Sequence, residues 1–273
     1  MANLLKWEMK QTFSSKSFWI VGAALVTLPA LLLLAFLTLG SGFSGYDAFI
    51  EGLNNYNAFV IFLIGVFAGI HVTGAFEGRK IQSAVMAGNS RFDILMAKFF
   101  SFSTAVALYS VASIAVSSLI AFAMQGVNGL EGSFARVIIA RALVYTVVEI
   151  AYSATCFFAS MLVRNLGGAI GLNTGLMLIS NLVAQILLNF DWAEKFVRLT
   201  PVGQSMFVLY DVSNSNIAMA LVTSVVTIAA ILALSYVKFR REELKYQSIV
   251  NINAEGGKDH SCRLLSCYAN IKP

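Results

Sequence analysis

Six apolar runs, each about as long as a bilayer is thick, constrain this chain more than any other feature: Phe18–Gly40, Tyr56–Gly78, Phe99–Ala123, Val137–Val163, Gly167–Asn189 and Asn216–Lys238. A helix rises about 1.5 Å per residue and needs about 20 apolar residues to cross a hydrocarbon core of about 30 Å. In lipid every backbone N–H and C=O must be bonded internally, and the alternating pattern of barrel strands is absent here, so the expected fold is all-α, a polytopic bundle of six spans. Hydrophobic residues make up 58% of the 273 and charged residues only 12%, against about 25% in an ordinary soluble domain. With a mean hydropathy of +0.76, no soluble core absorbs that surface.

The net charge of +5 raises nucleic acid as a partner, but the basic residues bracket the spans and report orientation, so nucleic-acid binding is not supported. One set of ends carries Lys6, Lys10, Lys16, Arg79, Lys80, Arg91, Lys98, Arg164, Lys238, Arg240, Arg241 and Lys245. The other carries Arg136, Lys195 and Arg198, and its first loop, Ser41–Asn55, holds Asp47 and Glu51 with no basic residue. The positive-inside rule therefore puts both termini in the cytoplasm, with the cell membrane, most simply a bacterial plasma membrane, as the location. Three parts follow: residues 1–17 as an interfacial elbow helix, 18–238 as the transmembrane domain, and 239–273 as a cytoplasmic tail. Cys262, Cys267 and His260 in the tail lack a fourth ligand at recognisable spacing, so no metal site is assigned.

The polar segments are more than connectors. In residues 2–16, Ala2, Leu5, Met9 and Phe13 recur at helical spacing opposite Lys6 and Lys10, with Trp7 as a headgroup anchor. In Glu77–Lys98, Ile81, Ala84 and Val85 form one helical face, Gly88 and Asn89 stop it, and Ser90 caps a second short helix with Asp93 three residues on. Arg164–Asn165 leaves room only for a tight hairpin. In the external segment from Phe190 to Ser215, Asp191 is a candidate N-cap, Pro201 a stop, and a further turn is expected from Gly203, with the aromatics folded back on the span ends.

Taken together, the opening LLKWEMKQTFSSKSFW, the sequence AFEGRKIQSAVMAGNSRFDILMAK leaving span two, and RLTPVGQ before the last span resemble the type-2 permeases of ABC exporters over residues 1 to about 245. Arg79 and Lys80 stand where that family often continues Gly-Thr-Ile. The resemblance implies that the loop after span two, with Glu77, Gly78, Arg79, Lys80, Gly88, Ser90 and Arg91, docks on a separate ATPase. It further implies two ATPase copies holding ATP and Mg, a second permease copy or paralogue, and an amphipathic or hydrophobic substrate (a peptide, toxin or drug) moving outward along the interface. The chain carries no G-x-x-x-x-G-K-[ST] loop, and Gly256-Gly257-Lys258 lacks the Ser/Thr, so it is expected to be no enzyme and to bind no cofactor. A membrane anchor or sensor for an ATPase, and a proton-driven transporter, are the alternatives.

Inside the spans, Glu149 needs a partner, hydration or a proton. His71 is one candidate partner, and Arg141, eight residues earlier, is free to snorkel outward. Asn173, Asn181 and Gln185 share an arc of span five that the dimer interface would shelter. Gly65, Gly69 and Gly74, with Gly167, Gly168, Gly171 and Gly175, permit close helix approach, and Pro29 is a candidate kink.

Overall fold

The computed structural model describes residues 2–40, 44–77, 84–86, 88–126, 134–163, 165–210 and 215–240. Gly78, Arg79, Lys80 and the tail with His260, Cys262 and Cys267 lie outside the described residues. Among those described the chain is helical throughout, without strands. In chain order the helices are α1 (Ala2–Phe13), α2 (Lys16–Leu39), α3 (Gly45–Ala68), α4 (Arg91–Gln125), α5 (Phe134–Leu162), α6 (Leu166–Leu187), α7 (Asp191–Val197), α8 (Pro201–Tyr210) and α9 (Ser215–Arg240). A π-helical segment, Gly69–Thr73, and a last turn, Gly74–Glu77, prolong α3.

Five of these, α2, α4, the Ile138–Leu162 part of α5, α6 and α9, are long and apolar enough to cross a membrane. A sixth arises if the bent pair Gly45–Val60 and Phe62–Thr73, whose arms meet at 43°, counts as one span. This is the character of a multi-pass membrane protein. Burial grades outward from α5, where 67% of the most apolar window is buried, to α9, where only 17% is. The apolar faces of α6 and α9 are therefore left for lipid or for another chain.

Two boundaries differ from expectation. The segment read as the first external loop is helical from Gly45, because Ser44 and Asp47 close a capping box in which each side chain receives the other's backbone N–H. Its asparagines Asn55 and Asn57 are buried. The helix capped by Ser90 is not a short surface element either: the Ser90 hydroxyl accepts from Asp93 N at 3.1 Å, and the same helix continues for 35 residues to Gln125. That length is about 52 Å, some 20 Å more than the hydrocarbon needs. The stop before it is as expected, since Gly88 has φ of +84°, which favours glycine.

Helices α2, α3 and α4 pack on one another, and α5 joins through α4. At the α2/α4 crossing the Tyr109 hydroxyl donates to Phe18 O at 2.8 Å, and any Cβ on Gly22 would lie 2.6 Å from the Tyr109 ring. Pro29 is buried inside α2, which runs unbroken past it. The short turn at Asn165 joins α5 to α6 as a hairpin, with the Asn165 side chain accepting from Gly168 N. In the segment after α6, Asp191 opens α7 rather than capping it. The cap position is Phe190, which has no side-chain bond to give. Pro201 starts α8 instead of only ending α7, with Thr200 Oγ1 accepting from Gly203 N, as the fixed φ of proline suits a first helical position.

Candidate functional site

Polar side chains inside the bundle gather in two places. The first surrounds Glu149 on α5, which is fully buried, with neither carboxylate oxygen in a hydrogen bond. Its electrostatic neighbours are Tyr145 and Tyr152 on the same helix and Tyr56 on α3. The Tyr145 hydroxyl faces Glu149 and the Tyr152 hydroxyl faces Ser180 and Asn181, short of full hydrogen-bond geometry, whereas Tyr56 Oη meets Ser110 Oγ on α4 at 3.0 Å. A carboxyl group ringed by phenols can exchange hydrogen bonds with them after small side-chain rotations. The tyrosines were missed in the sequence because aromatic residues at helical spacing read as ordinary core.

His71 does not join this cluster. Its Nε2 lies 3.1 Å from Ser101 Oγ, and its ring completes a triangle with Phe67 and Phe102, with centroids at 5.6 and 6.0 Å. Arg141 does not snorkel outward either. It is 5% exposed, and its guanidinium sits 5.1 Å from the Tyr46 ring centre, where a cation meets an aromatic face.

Asn173 is fully buried within the single chain, so no second copy is needed to shelter it. Its Nδ2 donates to Gly65 O at 3.0 Å and to Ser160 Oγ at 2.7 Å, tying α6 to α3 and α5 at one point. About two turns beyond Gly65, in the π-helical segment, Thr73 donates to Ser160 O at 3.0 Å. This close approach depends on Gly65 and Gly69, whose added Cβ atoms would lie 3.1 Å from Asn173 Cβ and 2.9 Å from Ile170 Cγ1. By contrast, Cβ atoms at Gly167, Gly171 and Gly175 would meet nothing within 4 Å, so that glycine series faces away from the chain's own helices. Asn181 is buried and accepts from exposed Gln185 at 2.8 Å.

The second cluster lies where α1 packs on α4. The most deeply buried side chains of α1 are Glu8 and Thr12, while Leu5 and Met9 are half-buried and Phe13 packs on Phe18. Lys98 Nζ on α4 donates to Glu8 Oε2 at 3.1 Å, and the side chains are 7% and 4% exposed. Thr12 Oγ1 reaches Ser101 Oγ at 3.4 Å, so Ser101 links α1, α4 and the π-helical segment carrying His71. A cavity of about 520 Å³ opens beside this pair, lined by polar residues from α1 and the start of α2 and by Phe67, Ile70, His71, Gly74 and Ala75.

Of the loop residues, Gly88 ends one turn, Ser90 caps α4, and Arg91 is its first residue, while Glu77 ends the helical continuation of α3. On the opposite segment the aromatics do not all fold back. Trp192 and Phe196 are 68% and 64% exposed, while Arg198 lies over Phe207 at 4.0 Å and pairs with Glu194 at 2.8 Å.

Among known proteins, no family model matches the chain and no curated protein matches it.

Proposed function

We propose that the chain is the membrane subunit of an ATP-driven exporter of the type-2 ABC kind. It would act with a second copy or paralogue and two cytoplasmic ATPases that hold ATP and Mg. In this reading the bent α3 pair is the second of six spans, both termini are cytoplasmic, α1 lies along the inner leaflet as an elbow, and the site is a cell membrane. The observation that carries the proposal is the unbroken helix α4, which begins at the Ser90 cap beside the loop and runs the full depth of the bundle. A helix of about 52 Å acts as a stiff lever, because kinking it sharply would require breaking its backbone ladder. Closure of an ATPase on the loop around Glu77, Gly78, Arg79, Lys80 and Arg91 would then move Ser101, Tyr109 and Ser110 as one body.

Support also comes from the position of α1. It is bonded to that lever through Glu8 and Lys98, so the elbow moves with it. An amphipathic peptide or drug passing outward at the interface would use the open Gly171 and Gly175 face of α6, where two chains can approach closely.

The test is transport into inverted vesicles containing the chain and its candidate ATPase. Transport that requires ATP and survives collapse of the proton gradient supports export. Arg91→Glu should abolish ATPase capture and stimulation with the membrane fold intact, and unchanged capture would remove the coupling role.

A further inference from the structure

The cavity beside α1 has a composition that specifies more than a gap in packing. On one side Glu8 and Gln11, three residues apart on α1, present acceptors: the Glu8 carboxylate and the Gln11 Oε1 atom, which is buried without a hydrogen-bond partner. On another side Lys98 Nζ supplies the cation, and hydroxyls of Thr12, Ser14, Ser15 and Ser17 surround the start of α2. The remaining wall, along the end of α3 and its continuation, is apolar at Phe67, Ile70 and Ala75 and includes Gly74 and the His71 ring, whose Nε2 is turned to Ser101. The cavity therefore holds one negative and one positive group side by side, with a greasy flank.

From this arrangement we infer that the cavity is a binding site for a phosphoethanolamine headgroup, seated as part of a membrane phospholipid. The phosphate faces Lys98 and the serine hydroxyls, which donate to it. The ammonium carries N–H donors that Glu8 and the unpartnered Gln11 oxygen accept. The glycerol and first acyl carbons lie along Phe67 and Ile70. A net-neutral site of this kind favours a zwitterion over a simple anion, because a second negative charge would face Glu8 without compensation. A trimethylated ammonium has the same charge but no N–H to give, so Gln11 Oε1 would stay unsatisfied. The inference requires only that the chain sits in a bilayer, and it stands whether or not the protein exports anything.

The full chain, purified in mild detergent and stripped of lipid, is titrated with phosphatidylethanolamine, phosphatidylcholine and phosphatidylglycerol of identical acyl chains, and bound lipid is counted by native mass spectrometry. One phosphatidylethanolamine should be retained about tenfold more tightly than either of the others, the ratio set by a charge-assisted hydrogen bond. Gly74 offers a variant that need not disturb the fold, since it lines the cavity and its added Cβ would meet nothing within 4 Å. Gly74→Leu should fill the space and lower retention about tenfold at unchanged thermal stability, and Gln11→Leu should erase the preference over phosphatidylcholine. Soluble glycerophosphoethanolamine should compete and inorganic phosphate should not. Equal retention of the three lipids, indifference to Gly74→Leu, or displacement by inorganic phosphate alone would each overturn the assignment.

Discussion

Lys98→Met removes one partner of the buried ion pair while keeping most of the side-chain volume, and its effect can be worked from the geometry. At 3.1 Å and an effective dielectric of about 20, the Coulomb attraction is about 5 kcal/mol. Desolvation of both groups offsets most of that when the pair forms, so the intact pair adds little. Breaking it is different, because Glu8 remains in place with its side chain only 4% exposed and no ammonium beside it. The expected loss is about 3–5 kcal/mol, or about 6–20 °C in unfolding temperature. Replacing Glu8 by Gln and Lys98 by Met together should recover all but about 2 kcal/mol. Buried Cys156 provides the assay: with Cys262 and Cys267 changed to Ser, it is the one thiol left of three, and a thiol-reactive dye reports its exposure on heating. Single variants whose losses simply add in the double variant, or a Lys98→Met loss below about 1 kcal/mol, would refute the reasoning.

Three further outcomes are expected, with the stability changes read by the same assay. Gly65→Leu should cost about 1–3 kcal/mol by pressing on Asn173, whereas Gly171→Leu should stay within about 0.5 kcal/mol in the single chain; equal effects would show that the two glycine faces are not distinct. Glu149→Gln keeps shape and removes a fully buried acid, so it should match or exceed the parent in thermal stability, and a loss above about 2 kcal/mol would mean that the carboxyl group is held firmly by the Tyr145 hydroxyl it faces. Ser90→Ala should cost about 1 kcal/mol through loss of the cap and should lower ATPase stimulation more than it lowers assembly, an outcome read by comparing stimulation with pull-down yield.

Much of the bundle was legible because lipid imposes one rule on every span, and the apolar runs obey it. The Ser90 cap, the Gly88 stop and the Asn165 hairpin were legible too, since each depends on chemistry within four residues. The start of α3 was not, because Asp47, Glu51, Asn54 and Asn55 look like a loop until the capping box and the burial of Asn55 are seen. Nor was the fusion of the loop helix with span three: Lys98 reads as a boundary charge, yet it is neutralised by Glu8 ninety residues away. The same long-range pairing hid the second cluster. Glu8 and Thr12 follow Leu5 and Met9 by three positions, on the opposite edge of the helix from Lys6 and Lys10, and only the packing of α1 on α4 shows that this edge is the most buried. The fate of Asn173 also depended on a backbone carbonyl exposed by a glycine on another helix, for which one sequence carries no local signal.

The π-helical segment Gly69–Thr73 has a consequence for how this protein can change over evolutionary time. A π turn accommodates one residue more than an α turn, so side chains beyond it are offset by about 100° from where an uninterrupted helix would aim them. Gly65 and Gly69 can thereby fit against α6 while His71 turns to Ser101 and Gly74 to the cavity. Deleting a single residue there would re-phase Gly74–Glu77 while leaving the contacts that precede the segment, such as Gly65 on Asn173, in place. The bulge works as a vernier along one helix, a place where one codon resets the angle at which the chain leaves the bundle.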